Sequence, residues 1–307
     1  MNHRSAYALL LLTTVLWGGN AIAGKWAAGH ISPMTLVFLR WVVATAIMLP
    51  LGWRTFIQDW PLVRRHIVLL TLLGAGGFTL FNAIFYVALN YTTAINVSIE
   101  QAGMPILIIV GNFLFFRLRA GWMQLVGVVL TVGGVVLTAS HGDPRQLLKL
   151  DLNFGDAIML IAIVLYSGYS IALRLKPPIQ WQTLMLVLCA AALVTSIPFL
   201  AWETVAGKAV FPDTTGWAIV LYTALGASVI SQAAYIRGNE LIGANRAGLF
   251  INLVPIFGTL FSILLLGETF HGYHAVALAL VFGGIWLAEH GGRRHAAAIQ
   301  ANKTQIR

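Results

Sequence analysis

The chain has 307 residues, 59% of them hydrophobic and 9% charged, with a mean hydropathy of +0.83. Soluble domains carry about 25% charged residues, so composition excludes a water-soluble protein and places this chain in a bilayer. A net charge of +9 then belongs to orientation in the membrane rather than to nucleic acid, and the single cysteine, Cys189, excludes an internal disulfide.

A helix crossing a hydrocarbon core of roughly 30 Å needs about 20 mostly apolar residues. Ten such stretches follow one another, at 5–25, 33–52, 66–89, 95–117, 121–140, 154–174, 180–201, 215–238, 244–266 and 270–290. In the first, Ala21-Ile22-Ala23 has the form of a signal cleavage site. The same stretch holds Trp17, Gly18, Gly19 and Asn20 and has a counterpart in mid-chain, so a retained helix is expected. Links such as Asn90 to Ala94 leave no room for a soluble domain. Trp26, Trp53, Trp60, Trp122, Trp181, Trp202 and Trp217 fall near span ends, where aromatic belts form. The expected fold is therefore an all-α integral membrane protein of ten transmembrane helices.

The two halves correspond at a spacing of 150 positions. Gly76 answers Gly226, Ala94 answers Ala244, Pro105 answers Pro255, and Gly133-Gly134 answers Gly283-Gly284. With one residue of slip, Leu16, Gly19, Ile22 and Ala23 answer Leu165, Gly168, Ile171 and Ala172. Five helices per half make the second repeat enter from the opposite side, a 5+5 inverted repeat of the kind that alternates access to a central site. The domains expected are a first five-helix repeat over 1–140, an external loop over 141–153, a second repeat over 154–290 and a tail over 291–307. With a cytoplasmic N-terminus, the inner side receives Arg54, Arg64, Arg65, Arg117, Arg119, Arg174, Lys176, Arg237, Arg246, Arg293 and Arg294. The outer side receives only Lys25, Arg145, Lys149 and Lys208, so both termini, and the tail, are expected in the cytoplasm.

Leu16-Trp17-Gly18-Gly19-Asn20, followed by Lys25, Ser32-Pro33 and Arg40, resembles the opening of the EamA-type members of the drug/metabolite transporter superfamily. Ala88-Leu89, Tyr91-Thr92-Thr93-Ala94, Pro105, Asn252-Leu253-Val254-Pro255 and Leu266-Gly267-Glu268 extend the resemblance over all ten spans. It implies a carrier with a central cavity lined by helices 1, 3, 4, 6, 8 and 9, nearest to the exporters of aromatic and neutral amino acids in a cell inner membrane. One departure is Arg117-Leu118-Arg119, which stands where the first half often carries a glutamate matching Glu268.

Polar groups inside a span tend to face protein or a watery cavity. The candidate substrate-binding residues are Trp17, Asn20, Phe78, Asn82, Phe85, Glu100, Gln101, Tyr166, Tyr169, Ser231, Gln232, Tyr235 and Asn252. Amides, hydroxyls and rings with little charge suit a small zwitterion such as an amino acid. Lys25, Arg40 and Glu100 are candidates for a charged pair, Glu100–Arg40 or Glu100–Lys25; alternatively Glu100 is protonatable or meets a substrate ammonium. Glu100 lies about 7–8 Å inside its helix at 1.5 Å per residue. Pro105 and Pro255 are expected to kink their helices and assist gating, and the paired glycines to let helices 5 and 10 approach. All eight histidines fall at ends or loops, so no metal site is expected, and no cofactor. The alternatives are a multidrug or other metabolite efflux carrier, then a channel or an intramembrane enzyme, for which the sequence has no metal-binding or nucleophile motif. A monomer is expected, since a 5+5 chain completes its own cavity.

Overall fold

Inside a bilayer every backbone N–H and C=O has to be satisfied within the chain, which favours helices. The structure, a computed structural model, describes residues 3–116, 122–143, 153–242 and 250–287. In chain order these form α1 (His3–Trp26), α2 (Pro33–Arg65), α3 (Ile67–Ala88), α4 (94–116), α5 (Trp122–Ala139), α6 (Phe154–Leu175), α7 (Trp181–Val205), α8 (214–242), α9 (Val254–Leu266) and α10 (Gly272–Leu287), with no strand among the described residues. Seven of them, α1, α2, α3, α5, α6, α7 and α8, are long and apolar enough to cross a membrane. The described parts of α4, α9 and α10 give shorter apolar helices.

α2 departs from expectation by running 33 residues to Arg65 instead of stopping near residue 52. Past Pro50, the rings of Trp53, Phe56 and Trp60 continue one face at centroid spacings of 5.9 and 5.3 Å, while Arg54, Asp59, Arg64 and Arg65 are interspersed. The charges there mimic a loop in sequence, but the aromatic face continues the helix.

Pro105 and Pro255 do not kink continuous helices. The helix Ala94–Gln101 stops, Ala102 and Gly103 turn, and Met104–Phe116 starts afresh, with Pro105 in its first turn. Asn252 and Leu253 make the equivalent turn before Val254–Leu266, again with proline in the first turn. Proline fits there because a first-turn N–H has no helical acceptor. The backbone bonds also match, Gly103 N–H to Glu100 O and Leu253 N–H to Phe250 O at 2.9 and 2.8 Å.

A second pair of equivalent features lies in α3 and α8. Gly74–Leu80 and Tyr222–Ile230 are wound as π-helix, and Phe81 N–H and Ser231 N–H reach back five residues to Gly76 O and Gly226 O. Such wide turns are rare and are frequent at functional sites. Here they set Phe78 and Ser228, themselves 150 apart, into the bundle interior.

α2 packs along α7, α1 runs between α8 and α9, and α3 lies against α6. α5 meets α10 through Gly134 and Gly284. A Cβ on Gly134 would come within 2.7 Å of Ala277 O, and one on Gly284 within 2.5 Å of Gly127 O. Gly133 and Gly283 face open space, so only the second glycine of each pair serves the expected close approach.

The turns at 27–32, 89–93, 140–143, 206–213 and 267–271 gather at one end, the clasped end. Glu203 accepts from Met34 and Thr35 N–H at 3.1 and 2.9 Å and from the Ser32 and Thr35 hydroxyls at 2.5 and 3.0 Å. Glu268 accepts from Ala94 and Ile95 N–H at 2.8 and 2.9 Å. A carboxylate at a helix N-terminus satisfies orphan donors and meets the positive end of the helix dipole. Lys25 does the converse, donating to Leu89 O and Thr92 O beyond the C-terminal end of α3 at 2.8 and 2.7 Å.

Candidate functional site

Arg40, in the second turn of α2, is 5% exposed and has no carboxylate within ion-pair distance among the described residues. Neutral groups from three other helices hold it. Its Nε donates to Ser228 Oγ of α8 at 2.9 Å. Its Nη1 donates to Asn82 Oδ1 and Tyr86 Oη of α3 at 2.8 and 2.5 Å, and lies 3.4 Å from Asn20 Oδ1 of α1. Tyr86 in turn donates to Asn20 Oδ1 at 3.1 Å. The guanidinium carbon sits 5.1 Å from the Trp41 ring centre and 6.0 Å from that of Tyr86. Nη2 has no hydrogen-bond partner among the described residues. A buried cation with no counter-charge is costly, and a fork with one free nitrogen presents itself to a carboxylate.

Aromatic rings continue from this point. Trp41 stacks on Phe78 at 4.8 Å, Phe78 meets Tyr169 at 5.8 Å, Tyr169 meets Tyr166 at 5.4 Å, and Tyr166 meets Phe81 at 4.8 Å. On the other side Trp17 lies 5.6 Å from Tyr235, with its Nε1 donating to Ala227 O at 3.2 Å. Of the candidate residues, Asn20 and Asn82 thus touch Arg40, Phe78, Tyr169 and Tyr166 form a run of rings from Trp41, and Trp17 pairs with Tyr235.

Others fall elsewhere. Phe85 is buried against Phe81 and Tyr86, which makes it core. Ser231 is fully buried and donates to Ala227 O of its own helix at 2.8 Å, while its carbonyl accepts from Thr13. Gln101, half-buried, donates to Val97 O one turn back at 3.3 Å. Gln232 is half-buried on α8 and Asn252 sits in the turn before α9. Pro105 and Pro255 flank the helix breaks rather than the Arg40 cluster.

The expected pairing of Glu100 with Arg40 or Lys25 does not form. Depth along a helix had put the three together, but azimuth separates them: Arg40 faces α1, α3 and α8, Lys25 caps α3, and Glu100 is fully buried with no hydrogen bond to either carboxylate oxygen. Arg117 and Arg119 lie outside the described residues.

Sequence also missed a polar cluster at the clasped end. Asp156 of α6 is buried and accepts from the Thr92 hydroxyl. Asn96 Nδ2 lies 3.4 Å from both Asp156 oxygens and from His141 Nε2, and Asn96 Oδ1 lies 3.1 Å from His274 Nε2. His141 Nε2 is 3.6 Å from Asp156 Oδ2. These groups are spread from residue 92 to 274, and only the fold assembles them. No group of three metal-ligating side chains occurs among the described residues.

A wholly apolar crevice of about 260 Å³ lies between Met34, Leu80, Ala83, Ile84, Val87, Phe154, Ile158, Ile161 and Phe199. It contains none of the polar groups above and opens at the surface, where Phe154 and Ile161 are exposed.

The sequence profile of the EamA-like transporter family matches residues 4–140 and again residues 153–289. The chain belongs to the EamA-like transporter family. It is similar to the uncharacterized transporter YyaM of Bacillus subtilis strain 168, 25% identical over 297 residues and 94% of each chain. It is also similar to YetK of the same strain, 24% identical over 92% of this chain and 86% of the relative. The uncharacterized inner membrane transporter YicL of Salmonella typhimurium strain LT2 is 22% identical over 94% of this chain and 96% of its own. A solved crystal structure superposes with a TM-score of 0.63 at 20% identity, covering 94% of this chain and 98% of that one, which extends the likeness to the fold. This EamA-like protein is accordingly a multi-pass membrane transporter and not an enzyme.

Proposed function

We propose that this chain is a ten-span carrier of the 5+5 inverted type, with both termini cytoplasmic, exporting neutral or aromatic amino acids across an inner membrane by alternating access. The observation that carries the substrate class is the unpaired guanidinium of Arg40, buried among neutral acceptors and rings. A ligand carboxylate supplies the missing charge through a bidentate contact. Asn20, Asn82 and the faces of Trp17, Tyr166, Tyr169 and Tyr235 offer acceptors and quadrupoles for an ammonium and an apolar side chain. Multidrug efflux of amphipathic cations is disfavoured by the same residue, since a buried positive charge repels them.

Alternating access is supported by paired features: the wide turns at Gly76 and Gly226 and the helix breaks before Pro105 and Pro255 occupy equivalent places in opposite-facing repeats. The purified protein in liposomes preloaded with an amino-acid panel tests the reading. Saturable counterflow of aromatic or branched neutral amino acids is expected, and an absence of counterflow for the whole panel overturns it.

A further inference from the structure

Glu100 is the buried acid that the Arg40 site does not use. It is 0% exposed, and neither Oε1 nor Oε2 has a hydrogen-bond partner among the described residues. Asn96 precedes it by one turn, so the two share a face of α4. That face is the one on which Asn96 meets Asp156, His141 and His274. Beside it, Ile95, Ile99 and Ala102 pack with Val135 of α5 and Ala277, Val281 and Ile285 of α10 into an apolar cluster. A lone carboxylate in such surroundings carries a large desolvation cost, whereas the neutral acid has no charge to solvate.

The groups around it complete the description. α6 contributes Asp156, the end of α5 contributes His141, and α10 contributes Tyr273 and His274, with His271 just before it. α1 contributes Lys25, engaged by the carbonyls of Leu89 and Thr92, and the turn before α10 contributes Glu268, engaged by the α4 N-terminus. α9 brings no titratable side chain to this side among the described residues. Among the described residues no cation pairs with Glu100, and one turn along the same face Asn96 leads to Asp156 and to the half-exposed ring of His141, 37% accessible at the clasped end.

We propose that the Glu100 carboxyl is a proton-binding site of the transport cycle, exchanging its proton with the clasped end through the Asp156–His141 pair beside Asn96. In the clasped state the proton is covalently held as the Glu100 O–H. When the clasp opens, that O–H bond breaks, the proton forms an N–H on His141 by way of Asp156 and passes to water, and Glu100 is left as a solvated carboxylate. The reverse sequence reloads it. The proton site does not depend on which side of the membrane the clasped end faces.

Infrared difference spectroscopy of the protein in lipid, titrated from neutral to alkaline conditions, tests this without any transported solute. The expected result is a carbonyl stretch of a neutral carboxylic acid at neutral pH that is lost in Glu100→Gln, moves in Glu100→Asp, and persists at altered frequency in Asp156→Asn. A band that survives Glu100→Gln, or the absence of any neutral-acid band, overturns the proposal. So does erasure of the band by sodium chloride at fixed pH, which marks a metal-cation site instead. Retained helical circular dichroism in Glu100→Gln establishes that loss of the band is not loss of fold. Failure of the amino-acid counterflow panel with the band intact would leave the proton site standing and remove only the substrate reading.

Discussion

Arg40 organises the interior because its fixed contacts come from three other helices, α1, α3 and α8. Tyr86 is the closest of them, receiving from Nη1 and donating to Asn20. Removing its hydroxyl takes the shortest acceptor from Nη1, leaving Asn82 and the more distant Asn20, and frees Asn20 of its donor, a loss of about 1.5–3 kcal/mol for a hydrogen bond to a charged group. Tyr86→Phe is expected to raise the apparent KM of a carried amino acid about tenfold, the equivalent of about 1.4 kcal/mol. An unchanged KM in liposome assays would show that Tyr86 does not position the guanidinium. At this scale sequence was informative about residue types but not about partners. Asn20, Asn82, Phe78, Tyr166 and Tyr169 were legible as interior polar and aromatic groups from their spacing alone. The choice of Glu100 as the partner of Arg40 failed because equal depth in a membrane does not fix helix azimuth.

Among the helices, the clasped end is held by carboxylates set at helix N-termini. Glu203 is the most heavily engaged, satisfying two N–H groups and two hydroxyls at the start of α2. Glu203→Ala is expected to destabilise the protein by about 3 kcal/mol, since buried donors lose a charged acceptor. Thermal unfolding in detergent reads this directly; a Tm equal to wild type contradicts the capping role. Asp213 behaves differently because it is exposed. Its carboxyl accepts from Gly216 N–H at 2.7 Å and lies 2.7 Å from His30, and both hold it below the usual carboxylate range. Folded-state lowering means its contribution is full above the ordinary carboxylate range and lost as pH falls through the lowered value. An acid limb in the Tm profile of wild type that flattens in Asp213→Asn is the expected outcome, and identical limbs contradict it. Seven spans were legible in sequence because about 20 apolar residues are hard to hide. The extension of α2 to Arg65 was not, since interfacial helix and charged loop share a composition.

Over the whole molecule, the repeat seen as matching residues returns as matching backbone irregularities. Gly76 and Gly226 accept from Phe81 and Ser231, and each proline opens a new helix after a two-residue turn. Their periodicity was readable, but winding and breaks depend on tertiary packing that spacing does not encode. The histidine–aspartate cluster was unreadable for the same reason, its members lying far apart along the chain. What differs between the halves is chemistry: α2 carries Arg40 and no equivalent cation stands on α7. Under the proposed alternating access, the symmetric irregularities carry the movement and the one asymmetric charge carries recognition. The most direct test of this account is counterflow of a labelled aromatic amino acid, with its methyl ester as competitor, in liposomes carrying wild type or Arg40→Gln. The account predicts that wild type prefers the free acid, and that Arg40→Gln stays folded but loses roughly 100-fold of that preference, about 3 kcal/mol of charge-assisted binding. Equal discrimination between acid and ester by both proteins would contradict it.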